Sequence, residues 1–505
     1  MTISRRQAGA LVAAMALVAM TGAANAQTSS AQQAAMQQTI QRAEALTQKQ
    51  LESSNDVVGL SRLKQIYQAA GDKTRYRWTL KQLTHLVPGS LPMKMELASS
   101  YAADDMKTPA YDLLLRMKGQ GFGLDVSDMP QFKKIHGTQA WDFIVKSLKV
   151  NLKPFGEGKK AFDLPAADLM FNALAWDPVH KQFLAGSARD GGIYHADSNG
   201  KLSDFIKSDS HNRLWSIMDM AVDGKHKRLW VATTSIVYFK GYDTGNAGQA
   251  ALVEFDLGSG KLLHRYPLKG SDVFLSSLAV APDGKVFAAD GVNKVLYTLE
   301  KGKLKQLARN PRLNDIRALA VSSDGKRLYL ADTLRGVLGI DLDTGKAFAL
   351  GYNPEQLVLP GIVDMHSYKN TLVLIEAGMQ PQRVMRLKLA DDGHNVVSAM
   401  PLDVANPLFS ALGSGAVHGD KLYFLTNDQR SKYDQYGLLQ DGAVLEPVHV
   451  FESDMHFAWD KSGIKTGMSA IPKASAAEGR KMLREPTGTR KLPMKDTDNI
   501  LMKQH

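Results

Sequence analysis

The sequence predicts a mainly β protein, a six-bladed β-propeller preceded by an all-α helical domain, and three observations carry that prediction. A phrase of the form Leu-Ala-Val-x-x-Asp-Gly-Lys-x-Leu-Tyr-x-Ala-Asp recurs about six times between Leu174 and Phe424. Its clearest copies, Leu278 to Asp290 and Leu319 to Asp332, start 41 residues apart, and a period near that size with several short strands per unit belongs to a propeller blade. Between Gln27 and Val150 the alternation of strands is absent and apolar residues fall at i, i+3 and i+4, the spacing of amphipathic helices.

Residues 1–26 read as an export signal. Met1-Thr-Ile-Ser-Arg-Arg is followed by an apolar run from Ala8 to Met20 and by Ala24-Asn25-Ala26, the charged start, short apolar stretch and small-residue end of a secretory signal peptide. The mature chain is expected to start near Gln27 and to be periplasmic or secreted. Arg5-Arg6 leaves the twin-arginine and general secretory routes both open. There is no cysteine, which excludes disulfides, a thiol nucleophile and a thiolate metal site.

The net charge of +11 invites a nucleic-acid reading until it is located along the chain. Residues 461–505 hold ten Lys or Arg against four Asp or Glu. Rich in Lys, Ser, Gly, Pro and Met and without apolar periodicity, this segment reads as a disordered basic tail. No nucleic-acid partner is expected, and no apolar run is long enough for a transmembrane segment.

Residues 27–58, rich in Gln and Ala, are expected to form a leading helix. In residues 59–150 a second repeat appears: Leu63, Tyr67, Ala69, Ala70, Gly71, Lys73 and Leu80 match Leu97, Tyr101, Ala103, Asp104, Asp105, Lys107 and Leu114, each 34 residues on. This segment resembles a short tetratricopeptide array, with Asp105 where the pattern wants glycine. The resemblance implies stacked helix pairs whose concave face could hold an envelope protein partner.

Residues 155–460 hold the propeller. Looser copies of the blade phrase begin at Leu174, Met220, Ile362 and Gly415. Its Asp-Gly and Gly-Lys pairs sit in hairpin turns, where glycine tolerates positive φ, so Asp283 and Asp324 are turn residues first. Asn172-Ala-Leu-Ala-Trp-Asp-Pro and Ala320-Val-Ser-Ser-Asp-Gly-Lys-Arg-Leu-Tyr-Leu-Ala-Asp resemble blade phrases of the SMP-30/gluconolactonase and NHL-type propellers. Arg228-Leu-Trp-Val-Ala with the strand beginning at Ala251 is similar to a blade of the major royal jelly/yellow family. Lactone-hydrolysing members of that superfamily imply one divalent cation such as calcium at the channel mouth, held by Glu, Asn and Asp placed two residues before the apolar phrase.

Here those positions read Asn172, Met218, Ser276, Arg317, Pro360 and Gly413. Asn172 is the one good ligand, and Arg317 brings a positive charge that repels an ion. If a metal is held, Asn172 and Asp219 are its expected ligands. Other candidates for the channel or its rim are His366, Glu376 and Asn427, while Asp290 and Asp332 read as loop ties. The thirteen histidines lack HxxxH, HExxH and HxH spacing, so no transition-metal site is expected. The expected function is an exported binding or scaffold protein with a protein or small-molecule ligand, no cofactor and no catalytic residue. The alternative is a divergent metal-dependent lactonase.

Overall fold

The computed structural model describes residues 30–456 except 269, 271 and 312, with only the backbone of 30–36. The export signal read at 1–26 and the basic tail read at 461–505 lie outside the described residues. The chain divides into two compact units, one of residues up to 117 together with 125–146, the other of residues 118–124 and of 147 onward.

The first unit is helical. Helices α1 (Ser30–Glu44), α2 (Gln48–Ser53), α3 (Val57–Ala70), α4 (Lys73–Leu86), α5 (Leu91–Ala103) and α6 (Lys107–Gly119) are followed by a 3-10 turn, Pro130–Ile135, and by α7 (Gln139–Val150). The pair that starts at 57 and 73 is followed by the pair that starts at 91 and 107, so the helix starts keep the 34-residue spacing of the side chains. Each hairpin needs a left-handed residue to leave its first helix. Gly71 supplies it at φ 69° and Asp105 at φ 56°, aspartate being among the few other residues that visit this region readily. Asp56, Asp72 and Ser90 cap the next helices by accepting backbone N–H bonds. Tyr67, fully buried, donates to the Ala43 carbonyl at 2.6 Å. No described helix is long and apolar enough to cross a membrane.

The second unit is a six-bladed propeller, six antiparallel sheets of four strands each. The inner strands are Phe171–Asp177, Ser216–Asp223, Leu275–Val280, Ile316–Val321, Ile362–Tyr368 and Gly415–His418. The circle closes by sharing a sheet between the two ends of the domain. Lys159–Leu164 pairs with Val448–Asp454, so the outermost strand of the sixth blade comes from the start of the propeller. This leaves no long exposed edge at the junction.

Five inner strands carry a bulge at the same place, setting Asn172, Met218, Ser276, Arg317 and Val363 out of register. The fifth blade therefore departs from the sequence alignment. Met365, not Ile362, stands where Leu278 and Leu319 stand, and the position expected at Pro360 is occupied by Val363. The diverged turn of that blade, Tyr368-Lys369-Asn370-Thr371 without Asp-Gly, concealed the three-residue shift.

Candidate functional site

The inner strand of each blade is hydrogen-bonded to its own sheet on one side only, so the other edge offers N–H groups that need acceptors. Side chains from the preceding blade provide them. Asp219 Oδ2 accepts from the Leu278 N–H at 2.8 Å, Ser277 Oγ from Leu319 at 3.1 Å, Asp364 Oδ2 from Gly415 at 2.7 Å and Ser414 Oγ from Leu174 at 3.2 Å. Around the ring the residues at this register read Ala173, Asp219, Ser277, Ala318, Asp364 and Ser414. The series Ala, Asp, Ser occurs twice, once per three blades, which places the two aspartates on opposite blades.

Two residues further along each strand the chain reads Ala175, Ala221, Ala279, Ala320, His366 and Ala416. Five blades thus supply alanine and the fifth supplies a histidine. All six residues line a cavity of about 380 Å³ in the channel, together with Asp219 and Asp364. His366 Nε2 lies 3.1 Å from Asp364 Oδ2, because residues two apart on a strand share a face. Its other ring nitrogen, Nδ1, has no hydrogen-bond partner among the described residues.

The electrostatics of this trio pull in different directions. Burial pushes the Asp219 carboxyl up, and the charge of Asp364 adds to the effect, to about 7. Burial opposes ionisation of Asp364 as well, but the adjacent imidazole and two backbone N–H donors outweigh it and hold that carboxyl below its usual range. Burial works against the charged form of His366, yet Asp364 beside it, and Asp219 further off, raise it above the ordinary histidine value. The protonated form of the channel histidine is therefore favoured by its carboxylate neighbours. Asp219 is held on three sides, by Met220 N–H at 2.8 Å, Ser277 Oγ at 2.9 Å and Leu278 N–H at 2.8 Å.

The cavity reaches toward the turns between inner and second strands, where Pro178, Gly224 and Ser367 line it. Every one of those six turns carries a lysine: Lys181, Lys227, Lys285, Lys326, Lys369 and Lys421. Lys369 and Lys421 face Asp420 and Glu452. Lys181, Lys227 and Lys326 are exposed and have no ion-pair partner among the described residues. Asp177 and Asp223, on the same face, are buried against histidines instead. Asp283, Asp324 and Asp420 stand exposed in three of the same turns, so the turns whose lysine has no exposed aspartate beside it are those of the first, second and fifth blades.

The other sequence candidates are dispersed. Asn172 Nδ2 donates to the carbonyls of Met218 at 3.0 Å and Ile217 at 3.3 Å in the next blade, and Ser276 Oγ likewise donates to Ile316. Arg317 pairs with Asp315 and lies over the Phe274 ring. Glu376 is fully buried against Arg383, whose guanidinium also donates to the Val358 carbonyl at 2.7 Å and the Gln120 carbonyl at 3.3 Å. It ends a second strand, in the same register as Asp290 and Asp332, and is no channel group. Asp290 accepts from the N–H groups of Phe274 and Asn293, and Asp332 from those of Asn314, Asp315, Leu334 and Arg335. Asn427 bridges the backbone of Pro447 and His449 in the sixth blade. The channel thus brings together Asp219 and His366 and leaves Asn172, Arg317, Glu376 and Asn427 to other tasks.

Asp364 is the site residue that sequence reasoning passed over. A signal for it exists: Met218-Asp-Met-Ala and Val363-Asp-Met-His carry the same Asp-Met pair, and aligning on that pair restores the register of the fifth blade.

No protein-family model matches this chain, and no curated protein matches it. Among solved structures, the PQQ-bound aldose sugar dehydrogenase of Streptomyces coelicolor is 15% identical, with 60% of this chain and 99% of that chain covered at a TM-score of 0.38. A putative oxidoreductase (glucose dehydrogenase) of Thermus thermophilus is 16% identical, with 59% and 99% covered at a TM-score of 0.38. A luciferin-regenerating enzyme is 16% identical, with 57% and 91% covered at a TM-score of 0.38. Likenesses of this size assign no activity to the chain.

Proposed function

We propose that this protein is an exported binding protein whose propeller channel holds a small anionic molecule against His366. The observation that carries this reading is the ring in which five blades place alanine and one places a histidine. Five small side chains leave room, and the sixth fills part of it with a charged donor. A cavity of about 380 Å³ is in the range used for small ligands. The lysines at the open end would draw an anion in and fall short of holding it, since exposed charges are worth little individually.

The superfamily resemblance raised a metal-dependent lactonase. Against it, the oxygens of Asp219, Ser276 and Asp364 are directed to groups of their own or the next blade, and the Asn172 side chain is turned by its amide nitrogen to the carbonyls of the next blade. A hydrolase reading keeps one support, the Asp219 carboxyl pushed up to about 7 across the channel from a histidine whose proton affinity is also raised, since titratable groups tuned away from their ordinary values can act as acid and base. The helical repeats, tetratricopeptide-like in spacing, would be the surface for an envelope protein partner.

The test is thermal unfolding of wild-type protein and of His366→Ala with inorganic phosphate, citrate and gluconate, each with and without calcium. A rise in Tm with one of these anions that disappears in His366→Ala supports the binding reading. Absence of any rise, or an equal rise in both proteins, rejects it. Turnover of gluconolactone that is lost in Asp219→Asn would install the hydrolase reading in its place.

A further inference from the structure

A second cluster lies away from the channel, in the first blade. Asp177 ends the inner strand, His180 stands in the turn that follows, and His195 lies on the third strand, opposite Leu184. Asp177 Oδ2 is 2.6 Å from His180 Nδ1 and 3.0 Å from His195 Nε2. Among the described residues this is the one group of three His, Cys, Asp or Glu whose ligand atoms all lie within 4.8 Å of one another.

The second blade acts as an internal control. Asp223 and His226 repeat the Asp-x-x-His turn with the same 2.6 Å contact, and His226 N–H bonds Asp223 Oδ1 as His180 N–H bonds Asp177 Oδ1. The turn therefore accounts for the aspartate and the first histidine. It does not account for His195. At the matching register the second blade has Glu254, opposite Trp230, and that side chain is engaged by His264 and Arg228. Only the first blade directs a second imidazole at the carboxylate oxygen.

We infer that Asp177, His180 and His195 form a binding site for a divalent transition ion of the zinc class. Two imidazoles and one carboxylate are a ligand set that such an ion favours. The site is held ready by contacts that owe nothing to an ion. Asp177 Oδ1 accepts the N–H groups of Val179 and His180 at 2.8 and 3.2 Å, leaving Oδ2 to point at the two rings. Phe205 packs on the His195 ring at 4.2 Å and on the His180 ring at 5.7 Å. Entry of an ion would replace the protons now shared between carboxylate and imidazoles and open the two N···O contacts to about 3.3 Å, the span of bonds of 2.0–2.1 Å in a tetrahedron. The His180 side chain is 34% exposed while Asp177 is fully buried, so one side of the site faces solvent and a water can complete the shell. The spacing rules found no metal site because they look for ligands close in sequence, whereas His195 arrives from two strands away.

The test is titration of the metal-free protein with Co²⁺, followed by its visible absorption, and competition by Zn²⁺. One equivalent giving an intense tetrahedral spectrum, displaced by Zn²⁺, is expected. His195→Ala should weaken binding at least about 10-fold. His180→Ala, an exposed turn substitution, serves if the buried variant fails to fold. His226→Ala and His366→Ala should bind as wild type, which separates this site from the channel. No spectrum in the wild type, or binding as tight as wild type in both His180→Ala and His195→Ala, overturns the inference.

Discussion

Asp219 and Asp364 occupy the same register on opposite blades, and each accepts the N–H of the inner strand that follows it, at 2.8 and 2.7 Å. They differ in the side chain beside them: Asp364 has a histidine two residues on and Asp219 an alanine. That difference sends their carboxyl groups in opposite directions, Asp219 up to about 7 and Asp364 below its usual range.

The pairing makes His366 a pH-sensitive donor. Its proton affinity is raised in the folded state, so the charge is complete below the ordinary histidine value near 6.5 and is lost as pH rises through the higher folded value. Anion affinity should fall over that same rise. An NMR titration of the histidine ring signals should show the His366 signal moving to a lower midpoint in Asp364→Asn, and an unchanged midpoint would remove Asp364 as the cause.

The lysines of the channel mouth act at long range. Lys227→Glu combined with Lys326→Glu should slow association of the anion several-fold at low salt, with the difference shrinking as ionic strength shortens the screening length to about 8 Å near 0.15 M. Stopped-flow rates at two salt concentrations decide this. A salt-independent defect would point to a disturbed fold.

Glu376 carries stability. Glu376→Ala leaves Arg383 buried with two carbonyls and no countercharge, which should cost about 3–5 kcal/mol of unfolding free energy. Urea denaturation measures it. Anion binding by the fraction that remains folded should match wild type, and a specific loss of binding would return Glu376 to the channel candidates.

Asp403 links stability to pH. Burial pushes its carboxyl up to about 6, against the pull of Ser453 Oγ and the Gly158 N–H. With the folded value raised above the unfolded one, the stabilising contribution is complete below about pH 4 and disappears as pH rises through 6. The two-unit displacement corresponds to about 3 kcal/mol. Asn can accept from Gly158 and donate to Ser453, so Asp403→Asn should be the more stable protein at pH 8 and should flatten the change in Tm between pH 5 and 8. A steeper profile in the variant would contradict the assignment.

The blade count, the turns and the helical preface were legible in the sequence because they rest on local physics: period-two strands, glycine turns and a 34-residue helical spacing. Asp290 and Asp332 were legible as ties for the same reason, since an aspartate at a strand end bonds the loop beside it. Glu376 was not, because its meaning depends on Arg383 meeting it across two paired strands. Asp364 was hidden by a turn without Asp-Gly, and its role emerges only when the bulge fixes the register. The sequence by itself determined that this chain forms a ring of blades and that the usual ligand positions hold few ligands. Only the tertiary structure decided that His366 stands alone among alanines and that His195 meets Asp177, because both facts depend on which strands a closed ring places side by side.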